Sequence, residues 1–215
     1  MESVFAIFCE RVLDLKKVNY YGEYKSLPVC LIDCVYSLRA KYFAVTVPVV
    51  QRYANRYLHG NKYAEGPSLT EFAKEIEATG FEGFAAGVLN NRQKLSGRLK
   101  SQVTYDVAKS LLSLGIQSKE DFAQYPNPRL LEYVISGVRG IGPAGLNYLF
   151  MLAGDPNRCK PDTHIHQAIR DGIGHDVSDA ECQIIFSDAV KELRTDYPDL
   201  TVRRLDGLIW EKYQG

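Results

Sequence analysis

The sequence predicts an all-α protein of two lobes. Three observations predict it. Apolar residues recur at three- and four-residue spacing in about ten separate segments, many opened by a capping residue or proline and some closed by glycine. No convincing alternating strand and no Asn-Gly or Asp-Gly hairpin can be traced. The 215 residues are 46 % apolar and 24 % charged, an ordinary globular composition for one domain or two small ones.

The elements follow in chain order. Pro28 opens a segment with Val29, Cys30, Ile32, Cys34, Val35 and Leu38 at helical spacing, and Pro48 opens the next, with Val49, Val50, Tyr53, Ala54 and Tyr57 on one face. Ser68-Leu-Thr-Glu71 is a capping box ahead of Leu69, Phe72, Ala73 and Ile76, and Gly80 is the expected stop. Residues 82–98, rich in Gly, Asn and Arg, read as an exposed loop. Val103, Val107, Leu111, Leu112 and Leu114 form a stripe ended by Gly115. Ser118 caps a short segment, and Asn127-Pro128 caps another carrying Leu130, Leu131, Val134 and Ile135. Ser178-Asp-Ala-Glu181 opens a helix with Ile184, Ile185, Ala189 and Leu193, and Thr201 caps the last, with Leu205, Leu208, Ile209 and Trp210.

Charge and cysteine set bounds on function. Lys+Arg and Asp+Glu number 26 each, so bulk positive charge does not drive nucleic-acid binding. No apolar run approaches the roughly 20 residues of a membrane helix, and Glu10 interrupts the apolar start, which does not read as an export signal. A cytoplasmic or nucleoid-associated protein, nuclear if eukaryotic, is expected. Cys9, Cys30, Cys34, Cys159 and Cys182 include no C-x-x-C and read as reduced, buried thiols.

The most informative stretch is Val134-Ile-Ser-Gly-Val138-Arg-Gly140-Ile-Gly142-Pro-Ala-Gly145-Leu-Asn-Tyr-Leu-Phe-Met-Leu152. Two apolar helices are joined by Val138-Arg139-Gly140-Ile141-Gly142. Gly140 and Gly142 are expected to take positive φ and let a ligand approach the backbone. Ile141 plugs the turn into the core. The N–H groups at the start of the second helix lack helical partners and suit a phosphate. Twenty residues on from Gly142 comes Asp162, in Cys159-Lys-Pro-Asp162-Thr-His-Ile-His166.

The glycine turn and the Asp-Thr-His-Ile element together resemble the helix-hairpin-helix DNA glycosylase superfamily, the endonuclease III-like proteins. Val35-Tyr-Ser37-Leu-Arg39-Ala-Lys-Tyr-Phe-Ala-Val45 is similar to that family's DNA-entering helix end and loop. The resemblance spans residues 28–170 and is most specific over 135–166. It implies a central lobe of residues 26–154 ending in the hairpin. A second lobe of 1–25 and 155–215 follows, with Asp162 as the catalytic carboxylate. It implies DNA contact through Arg139, Gly140, Ile141, Gly142, Ala144 and Gly145, with Arg39 filling the gap left by a flipped base.

Two departures shape the expected activity. Ala144 stands where bifunctional members carry the lyase lysine, so no Schiff base is expected there. After Asp162 the chain has only Cys182, so no four-cysteine iron–sulfur cluster can form. The hairpin leaves a place for a monovalent cation, and no other cofactor is expected. Between Glu82 and Asp106 there is no acid, so Arg92, Lys94, Arg98 and Lys100 are expected phosphate contacts, with Lys160 another.

Together these readings imply a monomeric, monofunctional DNA N-glycosylase. It would flip a damaged or mismatched base out of double-stranded DNA and release it by Asp-assisted hydrolysis. A non-enzymatic DNA-binding module and a helical protein–protein adaptor are the other two classes. Pocket residues carry no local signature, so the sequence names no lesion.

Overall fold

The computed structural model describes residues 3–17 and 22–214. Met1 and Glu2, residues 18–21 within the expected 1–25 segment, and Gly215 lie outside them. Among the described residues the protein is helical, with one two-stranded hairpin. The helices are α1 (Val4–Val12), α2 (Leu27–Ser37), α3 (Val47–Tyr57), α4 (Leu69–Gly83), α5 (Lys100–Leu112) and α6 (Lys119–Ala123). They continue as α7 (Pro128–Ser136), α8 (Pro143–Ala153), α9 (Thr163–Ile173), α10 (Asp179–Leu193) and α11 (Val202–Tyr213). No helix is long and apolar enough to cross a membrane.

The chain divides into two units, Gly22–Ala153 and the paired segments Met1–Tyr21 and Gly154–Gly215. In the central unit every residue of α2 is buried, and α3, α5 and α8 pack around it. A helix with no polar face can exist only as such an axis. Cys30 and Cys34, one turn apart, donate their thiols to Leu152 O and Gly145 O of α8, at 3.5 and 3.2 Å. Their spacing reflects packing, and all five cysteines are buried.

Capping signals fix the helix starts. Ser68 and Glu71, Ser118 and Asp121, and Ser178 and Glu181 each form a complete reciprocal box, an N-cap arrangement worth about 1 kcal/mol. The α4 backbone breaks at Gly80 (φ +69°), and helix then resumes through a π turn at Phe84–Val88. Residues 82–98 are therefore not the exposed loop expected from composition: Phe84, Ala85 and Leu89 are in the core. The segment ends in a hairpin absent from the sequence reading, β1 (Lys94–Leu95) and β2 (Arg98–Leu99), with Lys94 opposite Leu99. Its Ser96-Gly97 turn has φ +53° and +83°, the two positive values that a tight hairpin turn requires.

The terminal unit packs α1 on α9 and α10, and α11 on α9 and α10. Phe5, Cys9, Ile165, Ile169, Phe186, Leu205 and Ile209 form its core. Gly172 has no side chain because α1 lies against it: a Cβ there would come within 2.9 Å of Phe5. The ends of the chain are tied by Ser3 N donating to Glu192 Oε2 at 2.7 Å. The Arg204 guanidinium donates to Leu15 O and Lys17 O at 3.0 and 2.9 Å.

Candidate functional site: the glycine hairpin and Asp162

The hairpin sits in the central unit. Asn127 caps α7 by accepting from Leu130 N, and α7 runs to Ser136. The turn is then closed by Val138 N donating to Ile135 O and Ile141 N donating to Val138 O, at 3.1 and 3.0 Å. Ile141 is buried, as a plug of the turn should be. Gly140 takes φ +111°, a conformation closed to other residues. Gly142 does not take positive φ; it is exposed, with open space around it, and so permits approach from outside. The first bond of α8 is Leu146 N to Gly142 O, so the N–H groups of Ala144 and Gly145 precede it. Gly142 has no side chain with which to cap them.

Gly145 needs a correction. It is buried, and its missing Cβ would come 3.1 Å from Leu38. Its smallness lets α8 approach the end of α2 and leaves no surface for DNA. Ala144, one residue earlier, is partly exposed.

Lys100 is the largest correction. It is 2 % exposed and cannot touch a phosphate. Its ammonium donates to Tyr36 O, Leu38 O and Gln93 Oε1 at 3.0, 2.8 and 3.0 Å. Two of these are carbonyls at the end of α2, where a cation meets the negative end of the helix dipole. Burial pushes the amine down to about 8. Arg92 and Arg98 are also spoken for. Arg92 pairs with Glu82 and Arg98 with Asp106, the two acids that bracket the basic stretch in sequence. Folding brings each back onto its neighbour.

Arg39, Lys94 and Arg139 are exposed, and none of them makes an ion pair among the described residues. The fold gathers their neighbours around the hairpin. Leu38, before Arg39, packs on Gly145, and Leu95, after Lys94, packs on Gly140. Lys100 ties the two flanks together through Leu38 O and Gln93 Oε1. Arg39 itself adopts φ +53°, a strained value for a residue with a Cβ. Immediately beyond it, Tyr42–Thr46 is a π turn with Phe43 63 % exposed.

Asp162 lies in the terminal unit and is the N-cap of α9. Its Oδ1 accepts from His164 N at 3.0 Å and Ile165 N at 3.3 Å. Its Oδ2 has no hydrogen bond among the described residues and lies 3.9 Å from Lys160 Nζ, an ion-pair separation. One oxygen is held by two backbone N–H groups and the other faces the Lys160 ammonium. The Lys160 side chain is only 13 % exposed, which suits a partner of Asp162 better than a surface phosphate clamp.

A protein-family model described as a domain of unknown function, DUF8548, matches residues 4–214. The chain belongs to the DUF8548 family. No curated protein and no solved structure matches it.

Two features of this DUF8548 chain escaped the sequence reading. The first is Asp33, fully buried on α2, whose carboxylate accepts from the hydroxyls of Tyr24, Tyr42 and Tyr148 at 2.8, 2.9 and 2.8 Å. Burial and the Asp33 charge push all three phenols up, so they stay protonated donors. The second is Asp206 on α11, 6 % exposed, whose Oδ2 accepts Lys160 N at 2.8 Å. A local signal existed for neither, because each cluster is assembled from distant segments.

Another grouping looks like a nucleophile but is not one. Asp179 Oδ1 lies 2.8 Å from His166 Nε2, and Cys182 Sγ lies 3.7 and 3.9 Å from the two ring nitrogens. Asp179 already occupies Nε2, and burial pushes the thiol up to about 11, so it stays protonated near neutrality.

Proposed function

We propose that the protein binds double-stranded DNA through the α7–α8 hairpin and releases a damaged or mismatched base by hydrolysis, as a monofunctional N-glycosylase of the helix-hairpin-helix type. One observation carries the DNA part. A turn with Gly140 in left-handed backbone, and with the partly exposed Ala144 N–H preceding the first helical bond of α8, is flanked by three exposed cations, Arg39, Lys94 and Arg139. The neutral total charge is compatible with this, because a hairpin clamp needs a local positive surface only.

Asp162 supplies the chemistry. As the bond from C1′ to the base breaks, its electron pair leaves with the base and positive charge develops on the sugar. The Asp162 carboxylate stabilises that charge and accepts a proton from the water whose oxygen bonds to C1′. Its Oδ1 is fixed by two backbone N–H groups and Oδ2 is available for both tasks. Alanine at 144 supports release by water over an amine-bound intermediate.

The test is base release from duplexes carrying an alkylated purine, an oxidised guanine, an oxidised pyrimidine or a mismatched thymine. Asp162→Asn should bind the reactive duplex normally and lose at least about 100-fold in base release. Full activity in that variant would remove Asp162 from the reaction. Borohydride should trap no covalent complex. Arg139→Ala, Lys94→Ala and Arg39→Ala should each weaken binding and lower its salt dependence by about one counterion.

A second reading draws on the same carboxylate. Asp162 makes a complete N-cap, a role that needs no catalysis. A non-enzymatic DNA-binding module would bind the same duplexes and leave no alkali-labile site in any of them.

A further inference from the structure

Asp206 has no part in the reaction just described, yet it sits directly under the loop that carries Asp162. It lies one turn into α11, in the core of the terminal unit. Its Oδ2 accepts the backbone N–H of Lys160. Asp162 N in turn donates to Lys160 O at 2.7 Å, closing a three-residue turn around Pro161. The same Lys160 peptide unit thus bonds Asp206 on one side and leads into Asp162 on the other. Cys159, the residue before, is anchored separately through its N–H to Gln183 Oε1 at 3.0 Å.

The charged and titratable groups that face Asp206 are Asp162 and Lys160 from the loop, Arg203 from its own helix, and the buried Cys159 thiol. Burial pushes its carboxyl up to about 8, and the Asp162 charge adds to that; the Lys160 N–H, the Lys160 ammonium and Arg203 act against it. Burial and the Asp162 charge thus act on Asp206 in the same direction, and Asp206 is buried with a single N–H donor. Asp162 is more exposed and receives two such donors.

The geometry points to Asp206 as the positioning residue for Asp162: it fixes the Lys160 peptide from which the catalytic carboxylate turns, and so sets where that carboxylate stands. This rests on Asp162 being the reacting carboxylate. Removing the Asp206 carboxyl would free the Lys160 peptide and loosen the loop.

Two arms test it, on the full chain. The first uses the free protein and needs no substrate: carboxyl NMR titration and amide hydrogen exchange. Asp206 should titrate near pH 8. Asp206→Ala should speed exchange at the Lys160, Asp162 and His164 amides by at least about tenfold, and Asp206→Asn, which keeps an acceptor oxygen, should restore protection. Titration of Asp206 in the ordinary carboxylate range, or unchanged exchange in the alanine variant, would overturn the proposal. The second arm is base release from the duplex that reacts in the lesion panel. Asp206→Ala should lower kcat about tenfold with KM unchanged, and Asp206→Asn should rescue it. The wild-type rate should fall as pH rises through about 8, and the asparagine variant should lack that limb. A wild-type rate and pH profile in Asp206→Ala would sink it. If no duplex reacts, the glycosylase reading fails while the first arm still decides whether Asp206 holds the loop. If the alanine variant does not fold, the wild-type titration of Asp206 and the asparagine variant's pH profile decide alone.

Discussion

The central and terminal units each bury an aspartate, and they treat it in opposite ways. Asp33 is surrounded by three hydroxyl donors, drawn from the segment before α2, the π turn after it, and α8. A carboxylate in that setting trades its water shell for charge-assisted hydrogen bonds. Asp206 receives one backbone N–H and faces a second carboxylate, so burial is answered by protonation. The difference lies in the number and direction of donors rather than in depth. Hydroxyl donors gather around the one buried carboxyl, and the other, with few donors, holds on to its proton. Lys100 extends the rule to a cation, with three acceptors around a buried ammonium.

The largest expected effect that would break this comparison is at Asp33. Asp33→Ala strands three buried hydroxyls and should destabilise the central unit by about 3–5 kcal/mol in chemical denaturation. A loss below about 1 kcal/mol would mean that the tyrosines find other partners. Lys100→Met comes next, at about 2–3 kcal/mol, because it leaves two helix-terminal carbonyls unsatisfied. It should also weaken DNA binding indirectly by releasing the Arg39 and Lys94 flanks.

Asp206→Asn should act the other way and depend on pH. The folded carboxyl is raised to about 8 while the unfolded one titrates near 3.8, the ordinary value for an aspartate. Between those values the folded state holds a proton that the unfolded state has released, so stability from this group falls as pH rises from about 4 to about 8. Asparagine removes that dependence. The variant should be close to wild type in stability at pH 5 and more stable by about 1–3 kcal/mol at pH 8. Thermal melts at the two pH values check the sign, and a gain that shrinks toward pH 8 would reverse the assignment of the proton. The smallest effect is at Asp162. Asp162→Ala should cost about 1 kcal/mol as a lost cap, and Asp162→Asn almost nothing. Calorimetry of the two would separate capping from chemistry.

Much of the helical content was legible because its signals are local. Ser68, Ser118, Asn127, Ser178 and Thr201 announce helix starts within three residues, and each makes the predicted cap. Helix α1 was missed, since its short apolar run resembles nothing until α9 and α10 lie against it. At the site, Gly140 and Ile141 were readable from the turn's own stereochemistry. The fates of Lys100, Arg92 and Arg98 were not. Lys100 meets carbonyls more than sixty residues away, and the arginines' acids lie beyond the stretch that made it look uniformly basic. The Lys160 peptide looked like a spacer before Asp162 until α11 brought Asp206 beneath it.

The terminal unit is built from both ends of the chain, with the central unit between them. Its core needs Phe5 and Cys9 from α1 as well as Leu205 and Ile209 from α11. During synthesis the central unit's segments emerge complete while α1 still waits, its apolar face without a partner, for helices not yet translated. Closing that long loop is entropically costly and comes last. The segment α1 therefore stays without its partners until α9 and α10 have been made. The loop bearing Asp162 gains its underlying aspartate only once α11 has emerged.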